Sequence, residues 1–145
     1  MSAKTFFISG HLDLTETEFN EHYQPKLKMA VATGGYFIVG DSRGADAMAQ
    51  SYLGAAVSED GELHARILVY HIGRSPRNNK ENFKTIGNFK TDLERDEAMT
   101  RDSTDDILWV RPEDEQRKRL GAEYNPLRVS GTMKNKLRRM FEHVA

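Results

Sequence analysis

Three short loops rich in small residues carry side chains of the kinds suited to binding small charged molecules: Ser9-Gly10-His11, Gly40-Asp41-Ser42-Arg43-Gly44-Ala45-Asp46 and Ser130-Gly131-Thr132. Small residues let a backbone approach a ligand closely. A helix beginning at such a loop presents unpaired N–H groups and a partial positive charge, and both suit an anionic group such as phosphate. Arg43 is either a surface cation or a clamp for a phosphate or carboxylate. Asp41 is either a turn-former or an acceptor for ribose hydroxyls. Asp46 sits where an acid in the first turn of a helix is favourable with the helix dipole. His11 is either a plain loop histidine or a donor to phosphate. Arg95 and Met99, four residues apart, share one helix face. Asp41, Asp96 and Glu97 are the candidate catalytic carboxylates.

These loops need elements that bring them together. Four nearly continuous apolar runs read as strands: Thr5–Ser9, Tyr36–Val39, Arg66–Ile72 and Asp106–Val110. Continuous rather than alternating apolar runs indicate strands covered on both faces, as in parallel sheets. Between them lie helical signals. Thr15-x-x-Glu18 is a candidate capping box, followed by Phe19, Tyr23, Leu27 and Val31, with a kink expected at Pro25 and a stop at Gly34-Gly35. Ala45, Met48, Ala49, Tyr52 and Leu53 form a second apolar stripe. Thr91-x-x-Glu94 opens a helix through about Arg101, and a last helix is expected from Lys134 to His143. Gly73–Asn88 and Pro112–Pro126 read as irregular, either solvated loops or lids over a ligand. Trp109 and Tyr70 read as packing residues. Strands alternating with helices give an α/β fold, Rossmann-like, with a mainly parallel sheet of at least four strands and helices on both faces. In such sheets ligands bind beyond the carboxyl ends of the strands, where all three loops are expected.

Composition narrows the function classes. The 145 residues suit one domain, residues 1–145, with 38% hydrophobic and 30% charged residues. With 21 Lys plus Arg against 22 Asp plus Glu, the net charge of −1 excludes a uniform basic field and argues against nucleic acid as a partner. There is no cysteine, which excludes disulfides, thiolate metal sites and a thiol nucleophile. His22, His64, His71 and His143 lack metal spacing, so neither a metal nor a cofactor is expected. No apolar run approaches the roughly 20 residues of a membrane span. The run from Lys4 into a strand leaves no secretory segment, so no membrane partner and a cytoplasmic location are expected.

Gly40-Asp41-Ser42-Arg43-Gly44-Ala45-Asp46, followed by Ala47-Met48-Ala49, resembles the "GGAxGAD…A" segment of the SLOG superfamily. That group includes the Lonely Guy phosphoribohydrolases and the DNA-processing proteins. Arg95-Asp96-Glu97-Ala98-Met99, ahead of Asp105-Asp106-Ile107-Leu108, resembles the family's "R-x-x-x-M…aDa" helix and strand. Ser130-Gly131-Thr132 falls where the family carries its second phosphate loop. The resemblance spans nearly the whole chain. It implies a Rossmann-like fold and a single nucleotide-binding domain. It also implies ligand contacts from Gly40, Gly44, Ala45, Asp46, Arg95, Gly131 and Thr132, and a homo-oligomer. Two positions depart from the pattern. Asp41 stands where a second glycine is usual. The phosphoribohydrolase loop "PGGxGTxxE" lacks its leading residues here, and Asn135 stands at the glutamate position. An amide cannot serve as carboxylate base or nucleophile.

The expectation is a protein that binds a phosphorylated nucleoside or nucleotide-derived ligand as sensor, carrier or sequestering agent. The alternative is an N-glycosidic hydrolase or transferase acting on nucleoside monophosphates. DNA binding is a third reading, disfavoured by charge.

Overall fold

The computed structural model describes residues 3–142, with side chains to residue 141. Five parallel strands form one sheet: β1 (Thr5–Ile8), β2 (Tyr36–Gly40), β3 (Ile67–Ile72), β4 (Lys84–Phe89) and β5 (Asp105–Ile107), in the order β4-β3-β2-β1-β5. The helices are α1 (Glu16–His22), α2 (Gln24–Ala32), α3 (Ala45–Val57), α4 (Asp92–Arg101), α5 (Glu113–Leu120) and α6 (Gly131–Glu142).

Side-chain alternation along the strands builds a core on each face of the sheet. On one side Ile8, Val39, Val69 and Ile107 meet Phe19, Tyr23, Leu27, Ala49 and Leu53 from α1, α2 and α3. On the other, Phe7, Ile38 and Tyr70 meet Ala98 and Met99 of α4. The three strands β1, β2 and β3 are therefore covered on both faces, which is why they carry so few polar residues. The chain steps outward from β1 to β4 and then returns to place β5 on the far side of β1. That reversal makes the carboxyl ends of β1 and β5 a topological switch point, where open α/β sheets form their ligand crevices.

Several local expectations shift. The capping box at Thr15 is complete: the Thr15 hydroxyl accepts from the Glu18 amide and the Glu18 carboxylate accepts from the Thr15 amide. The first helical stretch breaks at Tyr23 rather than kinking at Pro25, which sits at the start of α2 where its missing N–H is harmless. Gly73–Asn88, expected to be irregular, contributes the edge strand β4. Its residues alternate between exposed and half-buried, so it lacks the continuous apolar run of a central strand. Pro112–Pro126 contains α5, which buries no residue and therefore shows no apolar stripe. The fourth expected strand is cut to Asp105–Ile107, and Leu108–Val110 leave the sheet. The last helix begins at Gly131, three residues earlier than expected. His143 lies outside the described residues.

Candidate functional site

The end of β2 feeds the Gly40–Gly44 loop into α3. Gly44 has a φ of 75°, a region that favours glycine, and its amide neighbour Ala45 donates to the His11 carbonyl at 3.2 Å. This turn brings Asp46, in the first turn of α3, back over Gly40. A Cβ on Gly40 would lie 2.5 Å from Asp46 Oδ2 and 3.4 Å from the Arg95 guanidinium. Glycine at this position leaves the space into which Asp46 from α3 and Arg95 from α4 reach over the sheet.

Asp41 is fully buried and its carboxylate is enclosed by arginine. It accepts from the Arg77 amide (2.7 Å), Arg77 Nη2 (2.9 Å) and Arg95 Nη1 (2.9 Å). Burial alone would raise its pKa, but the bonds from Arg77 hold it below the ordinary value. Arg95 is itself buried and also donates to Asp96 at 3.2 Å, with Asp92 3.7 Å away. Its guanidinium is thus surrounded by carboxylates. Asp96 is pushed up by burial against the opposing pull of Arg95.

Asp46 differs from its neighbours. It is buried, forms no ion pair among the described residues, and accepts from the Ser42 amide at 3.1 Å. Burial pushes its carboxyl up to about 7, despite the attraction of Arg95.

The other sequence-derived residues fall at the same end of the sheet or beside it. Ser9 is buried just past the end of β1, and its hydroxyl has no hydrogen-bond partner among the described residues. Gly10 lies against the Tyr23 ring and Ala45. His11 is buried and its Nε2 accepts from the Arg111 amide at 2.9 Å. Burial, with Arg111 nearby, lowers its pKa, so it stands as a neutral loop anchor. Ser42 Oγ lies 3.4 Å from both Arg77 and Arg95. Arg43 is exposed, and so is Glu97 on the solvent side of α4. Met99 is buried in the core beneath Arg95.

Ser130 caps α6, its hydroxyl accepting from the Met133 amide at 3.1 Å. Thr132 and Asn135 are buried on the inward side of α6. Asn135 accepts from Arg138, whose charge acts on Asp96 of α4. Arg139 donates to the Thr100 and Ser103 carbonyls at the end of α4 and to Asp106 of β5 at 3.0 Å. These contacts run α6 alongside α4 in the same direction, so the Ser130–Thr132 turn lies at the end of the sheet where α4 begins.

Two arginines had no signal in the spacing. Arg77 lies in the loop between β3 and β4 and reaches Asp41 across 36 positions. Arg111 is buried after β5 and binds Glu18 through Nε (2.9 Å) and Nη2 (2.8 Å), and Asp13 at 3.1 Å. Those bonds hold Glu18 down at about 2. Trp109 is half-buried, packed on the core and stacked with His22 at 4.1 Å.

Among the described residues no group of three or more His, Asp or Glu is placed to hold a metal ion. No helix among them is long and apolar enough to cross a membrane. The class these features define is a Rossmann-like α/β protein with a buried polar cluster at the carboxyl end of its sheet. Comparison of the chain with protein-family models, curated proteins and solved structures gave no match.

Proposed function

We propose that this protein is a SLOG-like domain that binds a phosphorylated nucleoside or nucleotide-derived ligand at the carboxyl ends of its strands, as a sensor, carrier or sequestering protein. The observation that carries this reading is the approach of Asp46 and Arg95 over Gly40 at the end of β2, next to Ser9 just past the end of β1, whose hydroxyl is buried and unpartnered among the described residues. Buried polar groups are costly unless satisfied, and unpaired ones in native proteins call for an explanation such as a ligand. A homo-oligomer belongs to the same reading, and α6 supports it. Leu137, Met140 and Phe141 face outward and are exposed, while the polar Thr132 and Asn135 are buried.

The second reading is N-glycosidic cleavage or transfer on a nucleoside monophosphate. It is favoured by Asp46, whose carboxyl is pushed up to about 7 by burial and so suits proton transfer near neutral pH, with Asp96 also pushed up by burial beside it. Asp41, tied to two arginines, is the weakest of the candidate bases.

The test is incubation with a panel of nucleoside monophosphates, following both thermal stability and released base. Stabilisation without turnover supports the binder. Release on the order of one base per second or faster supports the enzyme. If no member of the panel stabilises the protein or is cleaved, both readings fail. Sedimentation velocity reads the oligomeric state in the same samples.

A further inference from the structure

The four carboxylates at the end of β2 are not equivalent. Asp41 is saturated by Arg77 and Arg95, Asp96 is bonded to Arg95, and Asp92 is exposed beside Arg77. Asp46 alone of the four is buried with no ion pair, and its bond from the Ser42 amide occupies Oδ2 only. Oδ1 accepts no hydrogen bond from a described residue.

Ser9 is its neighbour. β1 and β2 pair with Ile8 opposite Val39, so continuing the register one step sets Ser9 beside Gly40. Phe7 and Ile38 both point to the α4 side, and alternation turns Ser9 and Gly40 the same way. Asp46 Oδ2 occupies the space left by the missing side chain of Gly40. The buried Ser9 hydroxyl, unpartnered among the described residues, and the open acceptor of Asp46 therefore lie on the same face of the sheet, over the adjacent ends of β1 and β2.

The local charge decides what such a pair accepts. Arg77 and Arg95 are already bonded to Asp41 and Asp96, with Asp92 beside both arginines. A phosphate placed there must compete with those carboxylates for the two arginines, whereas a neutral hydroxyl donates to a carboxyl oxygen without needing a cation.

We propose that Asp46 and Ser9 form the subsite for the sugar hydroxyls of the ligand, a ribose diol, with the phosphate directed away from this cluster. This rests on the reading of the protein as a binder of nucleotide-derived ligands. Asp46 Oδ1 accepts from one hydroxyl, and Ser9 Oγ pairs with the diol as donor or acceptor. A ligand lacking the 2-hydroxyl forgoes the bond to Asp46 Oδ1 and binds more weakly.

The experiment is isothermal titration of the intact protein with ribose 5-phosphate and 2-deoxyribose 5-phosphate, and with the four ribonucleoside 5′-monophosphates and their 2′-deoxy counterparts. The ribo forms are expected to bind about tenfold more tightly, the ratio for one buried hydrogen bond. Asp46→Asn should collapse that ratio to within about threefold, and Ser9→Ala should reduce it, since each removes part of the same recognition. Circular dichroism checks that both variants fold, and Ser9→Ala keeps the test decisive if Asp46→Asn does not. Equal affinity for ribo and deoxy forms overturns the diol subsite while leaving nucleotide binding intact. A preference that survives both substitutions also overturns it. If none of these compounds binds, the nucleotide reading falls and the subsite with it.

Discussion

Asp46 combines two opposing tendencies in one side chain. In the first turn of α3 it is well placed for the helix dipole. Yet the fold buries it without a paired cation, and its carboxyl rises from 3.8 to about 7. A carboxyl whose folded pKa is raised stabilises nothing by ionising. Between about pH 4 and 7 the unfolded chain ionises this group while the folded protein keeps it protonated, so wild-type stability falls as pH rises through that window. Asp46→Asn does not titrate. Its stability relative to wild type is expected to improve steadily from pH 4 to pH 7 and then level off, as read by urea denaturation at several pH values. A difference independent of pH would show that Asp46 is ionised throughout. Asp41 shows the contrary case, because its arginines keep it ionised although it too is buried.

At the scale of elements, the turn from β2 into α3 decides whether the cluster forms. Gly44 holds a positive φ, and a Cβ there would lie 2.5 Å from the His11 carbonyl oxygen and meet the Leu12 backbone. Gly44→Ala is therefore expected to cost at least about 2 kcal/mol, from left-handed strain and a clash with backbone that cannot move aside. Chemical denaturation measures the loss. Thermal shift with the best ligand of the nucleotide panel should show weakened binding in the same variant. α6 is positioned differently, by Arg139. Its guanidinium binds the last carbonyls of α4 and Asp106, where a cation is favourable at a helix carboxyl end.

Across the whole molecule, Arg111 straps separate parts of the chain together. It joins the start of α5 to the loop after β1 through Asp13 and to α1 through Glu18. Glu18 is held at about 2, below its ordinary 4.5, chiefly by its hydrogen bonds from Arg111. A depressed carboxyl contributes stability that is fully present above about pH 4.5 and is lost as pH falls toward 2. The full shift corresponds to about 3 kcal/mol, and solvent screening of this partly exposed ion pair brings the contribution near neutral pH to about 1–2 kcal/mol. Glu18→Gln should lower stability by roughly that amount at pH 7 and flatten the acid side of the stability profile between pH 4.5 and 2. Denaturant midpoints across that range provide the check.

Local and periodic features were legible in the chain itself. The continuous apolar runs required strands covered on both faces, and the Thr15–Glu18 spacing required a helix start, because both patterns act over a few residues. The small residues around Gly40 and Gly44 marked a tight turn for the same reason. Elements whose stability comes from neighbours left no such mark: β4 is an edge strand with one large exposed apolar residue, Ile86, and α5 buries nothing. The same division runs through the site. The sequence determined that Asp41, Asp46 and Arg95 stand at strand and helix ends. Only the tertiary structure decided that Asp41 is enclosed by Arg77 from 36 residues away while Asp46 stays unpaired. Those outcomes depend on which distant cations reach a buried carboxylate first, and no spacing along a chain encodes that.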